Sequence, residues 1–327
     1  MKQRLDYIDV AKGLLILLVV CHHIPYEAQN TFFASSTSWM FKVQPLYVSF
    51  FMPAFFILTG YCSHFSSNFI LFLRKNLKSL ILPAFIFYML NEMYHWVLFE
   101  QEIDVYRSLF VFAKSGGAWF VPALFLSKIA YWCIRNIFQK EKMIWIVLLS
   151  IMIVGTYFYT KFNEYWYMWH AASLMIFIKI GEKIKTCEIN AGMARLCSIV
   201  YLLVLLVCLL VYGDIPRVSY SSMIKVIYLI PFGILAVSAT VSLLYVAKYW
   251  EHNKILKFFG KNSLMVYLIH NSILATCFLA LPKFGDLPIV VLKLEIPFLA
   301  FVITLFACAL VIKLFNLPYL KCCLGKF

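Results

Sequence analysis

The chain has 327 residues, of which 63% are hydrophobic, 18% aromatic and only 13% charged, with a formal net charge of +14. A water-soluble domain carries about one-quarter charged residues, so this composition excludes a soluble globular protein. It points to an all-α, polytopic integral membrane bundle. The basic excess lies in short loops between apolar runs, which fits membrane topology and argues against a nucleic-acid partner.

Ten apolar stretches are long enough to cross a bilayer at about twenty residues each. They lie near 8–25, 44–63, 78–99, 117–137, 143–160, 165–182, 196–213, 224–248, 262–281 and 290–315. The aromatic residues Phe32, Phe33, Trp39 and Phe41 suggest a short interfacial helix within 24–43, and 165–182 admits a tilted or re-entrant piece. With the N-terminus inside, 19 Lys and Arg fall in inner segments and 8 in outer ones, while Lys12 and Lys128 lie within helices. That asymmetry supports about ten transmembrane helices with both termini cytoplasmic. The chain reads as one membrane domain, 1–327, without a soluble domain or repeat. The basic start is followed by a run holding Asp9 and Lys12, with no small-residue cleavage site, so the first helix is expected to stay. None of the ten cysteines has metal-ligand spacing, no metal is expected, and Cys322 and Cys323 read as free thiols rather than acylation sites.

The first stretch carries the strongest signal. Asp9, Lys12 and His23 fall on nearly one face of a helix turning 100° per residue. Lys12 and His23 are eleven positions apart, so they lie within about 20° of each other and roughly 16 Å apart along the axis. Ionisable residues inside a membrane are costly and face a protein interior or a polar cavity. Asp9 and Lys12 stand at ion-pair spacing. They either neutralise each other near the interface, with Lys12 snorkelling, or Lys12 faces a cavity and an anionic ligand from the cytoplasm. His23, near the outer end, is the candidate base or nucleophile. Its neighbour His22 is 100° around the helix and cannot share the same cavity.

Arg4, Asp9, Lys12, Gly13 and His23 resemble the first helix of the membrane acyltransferase 3 family, in its polysaccharide O-acetyltransferase-like branch. That helix carries a basic residue, ten residues, then His. Here the base is Lys12, a point charge where Arg would form a fork. The likeness continues through the Phe50–Tyr61 segment, through Trp119, Phe120 and Ala123, and through Gly260, Ser263, Tyr267 and His270, in the family's order and with core motifs within 4–315. The family's RxxR before a Pro is replaced by Arg74, Lys75 and Lys78 ahead of Pro83, with Asn76 and Ser79 on the two Arg positions. The basic cluster either binds phosphate or is ordinary inner-face charge.

The resemblance implies a multi-pass enzyme of the bacterial inner membrane. It implies no permanently bound cofactor, and acyl-CoA, most often acetyl-CoA, as donor. The acceptor would be a hydroxyl on a cell-surface or exported glycan. Lys12, Arg74, Lys75 and Lys78 would hold the donor's phosphates. His23 would act as general base or transient acyl carrier, and Asp9 would orient Lys12. Trp119, His270 and Glu92 (with His95 and Glu164 near the same end) are candidates for the acceptor side. Asn262 and Ser263 are expected to cap the ninth helix. The competing reading is an exporter of polysaccharide or lipid-linked glycan without transferase activity. Oligomeric state is not encoded in any of these signals.

Overall fold

The computed structural model describes residues 5–31, 33–66, 68–99, 119–162, 167–217, 226–280 and 292–324. These residues form α1 (Asp6–Ala28), α2 (Ala34–Val48), α3 (Phe51–Cys62), α4 (Phe69–Asn76), a π-helical segment (Leu77–Ile81) and α5 (Leu82–Phe99). They continue as α6 (Phe120–Ile137), α7 (Glu141–Phe162), α8 (Met168–Leu174), α9 (Ile176–Ile184) and α10 (Ala191–Tyr212). The last elements are α11 (Leu229–Tyr249), α12 (Lys254–Lys261), α13 (Ser263–Ala280) and α14 (Leu292–Phe315). No strand occurs among the described residues, and the chain is an all-α membrane bundle.

Among the described residues, seven segments are long and apolar enough to cross a bilayer: Asp6–Ala28, Ala34–Cys62, Glu141–Tyr159, Ala191–Tyr212, Val226–Tyr249, Ser263–Ala280 and Glu295–Phe315. The other three predicted stretches are also helical, as α5, α6 and the α8–α9 pair. Helix α6 carries Lys128 and Arg135 within its length, and α8–α9 is interrupted at Met175.

Two predicted elements differ in detail. The stretch 44–63 is two helices, broken at Ser49 and Phe50. Pro53 sits in the first turn of α3 and has no N–H for the Ser49 carbonyl four residues back, so the ladder cannot run through. The region of the expected interfacial helix does form a helix, α2, which leads directly into that break. Leu77–Ile81 adopts a π-helix rather than continuing α4. Pro83 removes the bond to the Ser79 carbonyl and its ring would crowd that oxygen; a widened turn relieves the clash.

Helix α1 lies at the centre, packed on α2, α3, α11, α12, α13 and α14. Two crossings bring backbones into direct contact. A Cβ on Gly13 would collide with the Leu256 carbonyl of α12, and one on Gly260 with the Asp9 carbonyl of α1. Likewise, a Cβ on Gly60 of α3 would strike the Ile178 carbonyl of α9, and one on Gly181 the Ile57 carbonyl. In lipid, helices associate through such close packing because apolar burial gives little net drive. The periphery is inverted relative to a soluble protein: only 17% of the α10 span and 22% of the α14 span is buried. Leu210 and Ile230 present their side chains outward, as a lipid-facing surface requires.

Candidate active site

The ridge on α1 points into protein. Lys12 is half-buried and lines a cavity of about 170 Å³ between α1, α3, α6 and α13. Its neighbours there include Ile16, Thr59, Phe120, Leu124, Ser263 and Tyr267. The four quoted family segments therefore converge on one space. Asp9 is buried, yet among the described residues no ion pair joins it to Lys12. Of the two readings of that spacing, Lys12 lines the cavity rather than pairing with Asp9, whose backbone carbonyl meets Gly260 at the crossing with α12.

His23 lies further along α1 and meets His270 of α13. Their rings are 4.7 Å apart between centroids and inclined at 75°. His270 is 1% exposed. Its Nδ1 is 3.0 Å from the Val266 carbonyl oxygen and 2.9 Å from that of Tyr267. A carbonyl can only accept, so His270 Nδ1 carries the hydrogen and Nε2 of the neutral ring is a lone pair. His23 Nδ1 lies 3.1 Å from that Nε2 and 2.9 Å from the Val19 carbonyl oxygen. Both partners accept, so His23 Nδ1 is the donor. The consequence is a defined tautomer: His23 Nε2 keeps its lone pair and has no hydrogen-bond partner among the described residues. It is the free basic nitrogen of the site.

The surroundings hold this arrangement. Tyr267, one turn before His270, lines the Lys12 cavity, and its hydroxyl accepts from the Phe120 backbone N–H at 3.3 Å. That N–H is an orphan donor in the first turn of α6. Helix α13 is zipped to α5 by Ser272 donating to Asn91 and by the Tyr94–Thr276 hydroxyl pair at 2.6 Å. On α1, Pro25 interrupts the ladder just past the histidines. The His22 carbonyl accepts from Gln44 Nε2 of α2 at 2.8 Å. The His22 ring turns away from His270 toward Tyr26 and Phe51, with ring centroids 5.1 and 5.6 Å away. Its buried Nδ1 has no partner among the described residues.

The remaining sequence candidates are dispersed. Arg74, Lys75 and Lys78 are exposed on α4 and the π-segment. Asn76 is buried, with Nδ2 donating to the Phe72 carbonyl at 2.7 Å, so its side chain is committed to its own helix. Ser79 lines a separate cavity of about 240 Å³ with Lys261, Asn262 and Leu264. Leu264 also lines the Lys12 cavity, so the two spaces adjoin. Asn262 does not cap α13 as expected; its Nδ2 donates to the Phe258 carbonyl and closes α12. Trp119 is buried against the ring of His170, 4.5 Å between centroids. Glu92 hydrogen-bonds Tyr88 one turn back on α5. Glu164 and the His95 side chain lie outside the described residues.

Sequence reasoning missed an ion network at the end of the bundle where α6 and α9 finish and α7 begins. Glu182 accepts from Arg135 at 2.8 Å and from the Tyr131 hydroxyl at 2.5 Å. Glu141 pairs with Lys183 at 2.8 Å, and Lys179 lies 3.5 Å from Glu141 and 3.6 Å from Glu182. The Glu141 carboxylate holds the Lys183 ammonium above its ordinary pKa. The basic residues among them fit membrane topology; with the two carboxylates they also tie three helices together around a basin of about 540 Å³. His170, fully buried beside Tyr159 and Trp119, was likewise unmarked in the sequence.

Comparison with known families gives one match: a family model described as an acyltransferase domain aligns with residues 5–314, nearly the whole chain. No curated protein and no solved structure matches.

Proposed function

Because the chain belongs to the acyltransferase 3 family and is a membrane acyltransferase, we propose that it transfers an acyl group, acetyl in the simplest case, from cytoplasmic acyl-CoA to a hydroxyl of a cell-surface or exported glycan. The observation that supports this reading most is the relay from the Val266 and Tyr267 carbonyls through His270 to His23, which leaves His23 Nε2 basic. In the proposed step the acceptor oxygen attacks the thioester carbonyl while His23 Nε2 takes the hydroxyl proton. The tetrahedral intermediate collapses, the C–S bond breaks, and the proton passes to the departing thiolate. The imidazolium formed on His23 is stabilised because its Nδ1–H already faces two acceptors. His270 orients His23 from behind and does not touch substrate. The alternative step, transient acylation of His23, uses the same nitrogen as nucleophile.

Lys12 supplies the donor end. The ridge carries it to the basic end of the bundle, the cytoplasmic side by the positive-inside rule, and the proposed setting is a bacterial inner membrane. A lysine in a half-buried cavity, without a carboxylate partner among the described residues, suits a phosphate. No cofactor is held permanently in this scheme.

The test is transfer of labelled acetyl from acetyl-CoA to surface glycan in membranes carrying the chain, with glycan mass spectrometry on cells with and without the gene. Label in the glycan is expected. Lys12→Gln should raise KM for acetyl-CoA by about tenfold, roughly one charged contact, with a smaller effect on kcat. Glycan that is lost from the surface but normally acylated would replace this reading with export.

A further inference from the structure

Tyr26 stands one turn beyond the two histidines of α1, and nothing in the proposed proton transfer uses it. It follows His22 by four residues and His23 by three, so its ring lies over the gap between theirs. Its ring centroid is 5.1 Å from that of His22 and 6.5 Å from that of His23. From α2, Phe41 meets Tyr26 at 5.1 Å, with the rings inclined at 88°. Tyr26 is nevertheless 46% exposed, and its hydroxyl has no hydrogen-bond partner among the described residues. Lys12 lies about 21 Å back along the axis of α1. Tyr26 is therefore at the end remote from the expected donor.

Gln44 adds a polar group at the same place. It follows Phe41 by one turn of α2 and is buried. Its Nε2 donates to the His22 carbonyl at 2.8 Å, at the foot of the turn that ends in Tyr26. That bond uses one amide hydrogen. The second hydrogen and Oε1 bond no described residue. A tyrosine that only anchors a helix at the membrane surface needs neither neighbour. Tyr26 instead covers the ring whose Nε2 is the free base of the site. The face of an aromatic ring is negative and attracts C–H bonds. A pyranose offers several C–H bonds on one face and hydroxyls around its rim. Lying on Tyr26, it carries rim hydroxyls toward His23 and toward the spare groups of Gln44.

We propose that Tyr26, buttressed by Phe41 and flanked by Gln44, is the platform on which a sugar ring of the acceptor stacks. This rests on the reading that the acceptor is a glycan. The platform sets which hydroxyl reaches His23 and takes no proton itself.

The test is transfer of labelled acetyl from acetyl-CoA, in membranes carrying the full chain, to surface glycan first stripped of its ester groups with mild base. Tyr26→Leu keeps an apolar side chain for lipid but has no flat face. It should raise KM for the glycan by about tenfold, the size of one aromatic stacking contact. KM for acetyl-CoA should stay unchanged, which also reports a folded donor cavity. Tyr26→Ala should behave as Tyr26→Leu does. Tyr26→Phe and Tyr26→Trp should stay within about threefold, because each keeps a ring face. If Tyr26→Leu has the glycan KM of the unaltered chain, the platform is overturned while the transferase reading stands. If Tyr26→Leu only lowers the amount of protein in the membrane, Tyr26 is an anchor and the platform is equally overturned. If the unaltered chain labels no glycan, the acceptor reading falls and the platform with it.

Discussion

Replacing His23 by alanine should lower acyl transfer by about 10²–10⁴-fold, the range a positioned general base contributes, while the amount of protein in the membrane stays the same. The expectation follows from the tautomer. His23 Nδ1 is committed to the Val19 carbonyl and to His270, which leaves Nε2 alone to accept a proton. His23→Gln, which keeps bulk and a donor for Val19 but has no basic nitrogen, should be equally inactive; this separates chemistry from packing. His270→Phe keeps a flat ring but breaks the relay, so His23 loses its orientation. A loss of about 10²-fold in kcat is expected there, the size associated with small misplacements, together with a displaced acid limb of the pH–rate profile. His22→Gln should retain most activity, because that ring packs on Phe51 and Tyr26 instead. Activity in His23→Gln comparable to the unaltered chain would remove His23 from the mechanism.

Much of this was legible in the chain itself. Apolar length located the helices, and helical spacing alone chose His23 over His22 and put Lys12 and His23 on one ridge. What spacing along one helix cannot supply is the partner on another. His270 is 247 residues from His23, and local sequence contains nothing about which turn of α13 meets which turn of α1. The same holds for Glu182, whose partners Arg135 and Tyr131 arrive from α6. Other misses had a local signal. Pro53 and Pro83 each stand four residues after the carbonyl they leave unpaired, and both departures from regular helix occur there. Asn262 was misassigned because a polar residue between two helices can close the first as well as open the second; its donor went to Phe258.

The position of the ridge depends on the α1–α12 crossing, and Gly260→Ala should break it. The added methyl would meet the Asp9 carbonyl and crowd the Gly13 backbone N–H. Backbone atoms of a central helix cannot turn aside as a flexible side chain would. Alanine favours helix over glycine by about 1 kcal/mol, but forced overpacking costs about 1–3 kcal/mol or more, and with backbone as the obstacle the upper end applies. The net result should be a lower melting temperature in detergent and reduced membrane yield. Gly233→Ala supplies the contrast. That glycine lies within α11 with open space where a Cβ would go, so its substitution should be neutral or stabilising by up to about 1 kcal/mol. The Gly260 effect should also reach chemistry. Asp9, Lys12 and Gly13 occupy adjacent turns, so pushing α1 off α12 shifts the Lys12 ammonium within its cavity. In the protein that survives, KM for acyl-CoA should rise more than kcat falls. Equal melting temperatures for Gly260→Ala and the unaltered chain would mean that the helices do not cross in backbone contact, and the geometry carrying Lys12 to the cavity would have to be redrawn.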